Sequence, residues 1–82
     1  MPRGEQKEQA GTRLARLTER ERDVFKGLAM GKTNKAVALD LGISPRTVEI
    51  HRAHLMEKLG ASTLSDLIRI ALILGIRQDQ EH

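Results

Sequence analysis

The sequence predicts an all-α domain of four helices, on three observations. The chain has 82 residues with one Phe and no Trp or Tyr. Leu, Ile, Val and Ala must therefore supply nearly all the buried surface, which suits packed helices better than a sheet sandwich. Apolar residues from Val24 to Leu74 recur at helical spacing, and no segment alternates as a strand does. Finally, Ser, Thr and Pro stand where helices should begin and Gly where they should stop. A chain of this length builds one core. Residues 17–77 are expected to form it, residues 1–16 to be a flexible linker or N-terminal arm, and residues 78–82 a disordered tail.

The arm is polar, with Gly4 and Gly11 and little apolar periodicity, so at most one helical turn is expected at its end. The first helix follows at residues 19–30. Thr18 and Glu21 form a capping box, in which the hydroxyl accepts from the Glu21 amide and the carboxylate reaches back. Val24, Phe25 and Leu28 give its apolar stripe, and Gly31 ends it. Thr33 caps a second helix, Asn34–Leu41, which Gly42 stops. Ser44 and Pro45 suit the N-cap and first position of a third helix, Pro45–Leu59, with Val48, His51 or Arg52, Leu55 and Leu59 along one side. Gly60 ends it. Ser62 or Thr63 caps a fourth helix at residues 64–74, with Asp66 near its positive end.

Composition excludes several classes of function. There is no cysteine, hence no disulfide framework, no Cys-ligated zinc and no thiol chemistry. No apolar run has the length of a membrane span, and the polar N-terminus does not read as a secretory signal. The net charge of +3 suits an anionic partner, although fourteen basic residues face eleven acidic ones, so placement matters more than the sum. His51 and His54 lie one turn apart without a third ligand nearby, so no metal is expected; His51 should be half-buried and His54 should meet backbone or solvent. Glu21 has its place in the capping box, with a base near the third helix as a further partner. It has no convergent second group for catalysis, and neither an enzyme nor a cofactor is indicated.

The second and third helices carry a more specific pattern. Two short helices crossing around a three-residue turn need a small residue at the crossing, a left-handed residue in the turn and a branched apolar residue returning to the crossing. Ala38, Gly42 and Val48 meet these demands, with Ile43 beneath the turn; this is the pattern of a helix-turn-helix. With Val48 and Leu55 inward, Arg46, Glu49, Ile50, Ala53 and Glu57 face outward. Ile50 and Ala53 among charges suit thymine methyls in a major groove. Ser44, Arg46, Thr47, Arg52, His54 and Lys58, together with Asn34 and Lys35 at the start of the second helix, flank this strip within reach of phosphates. Double-stranded DNA is therefore the expected partner.

In the fourth helix Leu64, Leu67, Ile68, Ala71 and Leu74 form a core stripe, which Ile70, Leu72 and Ile73 widen beyond what so small a monomer needs. The expectation is a two-fold homodimer contact using Leu67, Ile70, Ala71, Leu72, Ile73 and Leu74. The alternative is a protein-interaction module that uses the same apolar helix for a partner such as RNA polymerase.

Leu17-Thr18, Arg20-Glu21, Gly31, Asn34-Lys35, Ala38, Leu41, Ser44, Thr47-Val48, His51 and Lys58-Leu59-Gly60 together resemble the LuxR-type DNA-binding domain. Within that family the stretch from Ile43 to Ala53 is most similar to FixJ-type response regulators. The resemblance covers residues 17–76. It implies a four-helix LuxR-type fold, recognition by the third helix and dimerisation by the fourth. It also implies base approach by Glu49, Ile50 and Ala53, backbone contacts near Lys35, Thr47 and His54, and a place in the bacterial cytoplasm. A longer parent protein would carry a receiver domain phosphorylated by a sensor histidine kinase, making this chain the output domain of a two-component system. Many LuxR-type domains have Lys where this chain has Glu49. A carboxylate there accepts from cytosine N4 or pairs with Arg46 or Arg52.

Overall fold

The computed structural model describes residues 3–76, with side chains from Glu8 onward. Its helices are α1 (Arg3–Leu14), α2 (Glu19–Ala29), α3 (Asn34–Leu41), α4 (Pro45–Leu59) and α5 (Leu64–Ile73), and no strand occurs among the described residues. The four predicted helices are α2 to α5. The expected tail, residues 78–82, lies outside the described residues.

Local chemistry sets the starts of these four. Thr18 and Glu21 form the full capping box at α2, Thr33 accepts from the Ala36 amide at α3, and Ser44 accepts from the Thr47 amide ahead of Pro45 in α4. Thr63 caps α5 and completes a second capping box with Asp66, whose carboxylate also accepts from the Ser62 amide. Each such cap contributes on the order of 1 kcal/mol. Gly42, at φ 69°, closes α3 in the left-handed region and lets the Ile43 amide reach back to the Ala38 carbonyl at 3.1 Å.

The fifth helix, α1, is a correction to the four-helix expectation. Residues 3–14, expected as arm, are helical because tertiary contact supplies what their sequence lacks. α1 packs on α4 and α5, Ala10 is buried and Leu14 packs against the core. The Arg13 guanidinium donates to the Leu59 carbonyl at 3.3 Å, satisfying an acceptor at the open end of α4.

The core lies between α2, α4 and α5. Val24, Phe25, Val48, Leu55, Leu59 and Leu67 have no measurable exposure, and burial of a side chain of this kind contributes about 1.5–3 kcal/mol. α4 packs against α1, α2 and α3, which leaves one flank of it open. The α2–α3 contact depends on Gly27, where a Cβ would stand 2.7 Å from Cγ2 of Val37.

Candidate nucleic-acid interface

The open flank of α4 carries the outward strip. Burial of Val48, Leu55 and Leu59 fixes the rotation of the helix, so the residues between them emerge on the other side. Arg46, Glu49, Ile50, Ala53 and Glu57 are all exposed, Ile50 to 45%. Leaving a branched apolar side chain half in water has no benefit to the isolated fold. Arg46 and Glu49 stand 3.9 Å apart, so of the two pairing partners open to Glu49 the structure realises Arg46.

The N-terminal part of α4 is held firmly. Ser44 Oγ accepts from the Thr47 amide at 3.1 Å and lies 2.9 Å from Thr47 Oγ1. Alongside, α3 begins with Asn34, half-buried, and Lys35, exposed. Among the described residues no carboxylate lies within ion-pair distance of Lys35. Arg52, half-buried, turns away from the strip and donates to Asn34 Oδ1 at 3.2 Å. Asn34, Lys35, Ser44, Arg46, Thr47, Glu49, Ile50, Arg52 and Ala53 thus all belong to α3, the turn or α4 as far as just past its middle.

His54 and Lys58 follow a different logic. Glu21 is 3% exposed, and its Oε1 accepts from Lys58 Nζ at 2.7 Å and from the Thr18 amide at 3.0 Å. His54 Nδ1 lies 3.8 Å from Oε2 of the same carboxylate. Burial pushes the Glu21 carboxyl upward, but the Lys58 hydrogen bond, the Thr18 amide and the nearby charges outweigh it and hold it below its ordinary range. Lys58, expected to reach phosphates, here forms a part-buried ion pair between α4 and α2, with its own side chain 34% exposed. His54 is exposed with one edge toward that pair, and His51 is half-buried. Among the described residues no group of three metal-ligating side chains forms.

The α5 residues divide as well. Leu67 and Ala71, expected in a dimer contact, are 0% and 1% exposed, because the core stripe of α5 faces α2. They present no surface to a second copy. Leu72 is 64% exposed, while Ile70, Ile73 and Leu74 are half-buried. Part of the wide apolar arc that suggested a dimer faces α1, which leaves a cleft of about 220 Å³ lined in part by Ala10, Ile70 and Ile73. Sequence reasoning missed this cover. Its faint signal was the spacing of Ala10 and Leu14, four residues apart on one helix face.

Comparison with known proteins bears directly on this arrangement. The family described as bacterial regulatory proteins, luxR family, matches residues 15–71. The transcriptional regulatory protein FixJ of Azorhizobium caulinodans is 50% identical over 68 residues, which cover 83% of this chain and 32% of that protein. FixJ of Bradyrhizobium diazoefficiens is 46% identical over 67 residues, covering 82% and 33%. The transcriptional regulatory protein UhpA of Escherichia coli is 55% identical over 53 residues, covering 65% and 27%. The crystal structure of full-length FixJ from B. japonicum superposes with a TM-score of 0.78 at 42% identity, covering 90% of this chain and 38% of that one. The chain therefore spans about a third of the length of these FixJ relatives.

Proposed function

The chain belongs to the luxR family of bacterial regulatory proteins, and from that premise we propose that it binds double-stranded DNA sequence-specifically and regulates transcription, with α4 in the major groove. The carrying observation is the outward strip of α4, where Ile50 is left 45% exposed between Arg46 and Glu49 on one side and Ala53 on the other. An apolar group on an otherwise charged helix face suits a thymine methyl, and Glu49 suits cytosine N4 once Arg46 swings to a phosphate. Lys35, Ser44, Thr47 and His54 hold the backbone. Lys58 is left out, because taking it from Glu21 strands a buried carboxylate.

The regulatory relatives are about two and a half times as long as this chain. The protein to which this domain corresponds would then carry a receiver domain and answer to a sensor histidine kinase, with this chain as its output domain in the bacterial cytoplasm. Two copies pair through Leu72 and the exposed margins of Ile70, Ile73 and Leu74, and place two α4 helices about one helical turn apart on DNA. The exposure of Leu72 also favours a second reading, in which α5 docks on a protein such as RNA polymerase.

Selection of bound duplexes from a random library at near-physiological salt tests the proposal. Enrichment of a two-fold symmetric motif supports the dimeric regulator. Salt-sensitive retention without enrichment means that the domain binds DNA without reading it. No retention leaves the protein-docking reading. Sedimentation of wild type and Leu72→Glu, free and on DNA, tests the pairing: a wild type that stays monomeric in both states overturns it.

A further inference from the structure

We infer that Arg52 is a positioning residue for DNA binding: it acts through Asn34, orienting that side chain so that its amide nitrogen donates to a backbone phosphate. The inference rests on the duplex-DNA reading and assigns a role within that interface.

Arg52 lies on the flank of α4 near the strip, and Glu49 is one turn away on the same helix. An i, i+3 ion pair between them is sterically available and common on exposed helices. Among the described residues it does not form: Glu49 stands beside Arg46, and the Arg52 guanidinium crosses to α3. There Nη1 donates to Asn34 Oδ1 at 3.2 Å, across 18 residues of chain, with both residues half-buried. The chemistry of the amide then dictates the rest. A primary amide has one acceptor oxygen and one NH2 donor on opposite branches of the same carbon. A guanidinium only donates, so it selects the oxygen and fixes the flip of the group. The Nδ2 donors are left on the branch away from Arg52. On the next residue Lys35 is exposed and carries no ion pair among the described residues. A phosphate held by Lys35 therefore stands where a neighbouring donor from Asn34 adds a hydrogen bond. Without Arg52, Asn34 is free to present its oxygen, which repels a phosphate.

Direct contact by Arg52 and action through Asn34 make opposite predictions. A cationic side chain on a phosphate adds about 0.9 to the slope of log affinity against log salt, and a neutral amide adds nothing. The experiment is a double-mutant cycle on the whole chain: Arg52→Ala, Asn34→Ala and both together, with Arg52→Lys and Lys35→Ala alongside. Affinity for a selected duplex is measured across a salt series, at a temperature where circular dichroism shows every variant folded. Each single alanine variant is expected to lose about fivefold in affinity, the net value of one hydrogen bond. The double variant should be no worse than either single one, the slope should not change, and Arg52→Lys, which keeps an N–H donor, should recover part of the loss. Multiplicative losses with a shallower slope for Arg52→Ala would show a direct phosphate contact and overturn the inference. Folded variants with unchanged affinity would reduce the pair to a structural tie between α3 and α4 and also overturn it. In either case a flatter slope for Lys35→Ala leaves the DNA-binding reading intact. A wild-type chain without salt-dependent affinity overturns both.

Discussion

The interface of α2 with α4 and the edge where α1 lies on α5 are both helix packings, yet they rest on different forces. Between α2 and α4, fully buried Val24, Phe25 and Leu28 belong to the same cluster as Val48, Leu55 and Leu59. The Glu21–Lys58 pair at 2.7 Å ties the two helices at a carboxylate that is 3% exposed. At the α1 edge the docked apolar side chains are Ala10 and Leu14, and Arg13 adds one hydrogen bond of 3.3 Å. Stability in a small domain is correspondingly uneven: the first interface should open only with global unfolding, and α1 should open locally. A short helix with Gly4 and Gly11 has little stability of its own in water. The lesson is that a helix visible in a fold need not be a helix the sequence insists on.

The strongest test of this contrast is Phe25→Ala. Truncating the only aromatic side chain of the chain, fully buried, should cost about 3–5 kcal/mol in urea unfolding, close to the whole stability of a domain this size. Glu21→Gln comes next. The amide keeps an acceptor for the Thr18 N–H but leaves Lys58 without its counter-charge, and because Lys58 is 34% exposed the loss should be only about 2 kcal/mol. The same variant has a pH signature. The carboxyl of Glu21 is held below its ordinary value of 4.5, so its contribution is complete above that value and disappears as pH falls through the lowered one. Glu21→Gln should therefore narrow its deficit in acid. An equal deficit at pH 7 and pH 3 would contradict an ionised, paired Glu21.

Gly11→Ala sharpens the other side. A Cβ there meets nothing within 4 Å, so α1 should gain about 0.5–1 kcal/mol of helix stability. Amide exchange in α1 should slow by a few fold while the core amides and the global midpoint barely move. A midpoint that rises by the full amount would mean that α1 unfolds with the core, and the contrast would fail. The smallest effect is expected at the start of α5. Arg69 and the Ser62 and Thr63 amides hold the Asp66 carboxyl down from 3.8 to about 2. That cap is intact above the ordinary value and is lost as pH falls through about 2, so Asp66→Asn should flatten the stability profile between roughly pH 4 and pH 2 and leave it unchanged in slope at neutral pH.

Most of the fold was legible residue by residue. Thr18, Thr33 and Ser44 with Pro45 each capped the helix they were expected to cap, and Thr63 took the place that Ser62 also suited. The outward placement of Arg46, Glu49, Ile50, Ala53 and Glu57 followed from the inward placement of Val48 and Leu55. The partners of Lys58 and Arg52 were not legible in the same way. Both are bases on the flanks of one helix, and periodicity places them near the strip without saying which turns to Glu21 and which to Asn34.

The sequence by itself determined α2 to α5, their ends and the rotation of α4, because caps, turn glycines and helical periodicity act within three or four residues. Tertiary structure alone decided that residues 3–14 form a helix, that Ile70 and Ile73 turn toward α1 while Leu72 stays exposed, and which base of α4 pairs with Glu21 and which with Asn34. The physical reason is separation along the chain. Arg13 meets Leu59 across 46 residues, Lys58 meets Glu21 across 37 and Arg52 meets Asn34 across 18. Contacts that long are set by the angles at which helices pack, which no local pattern encodes.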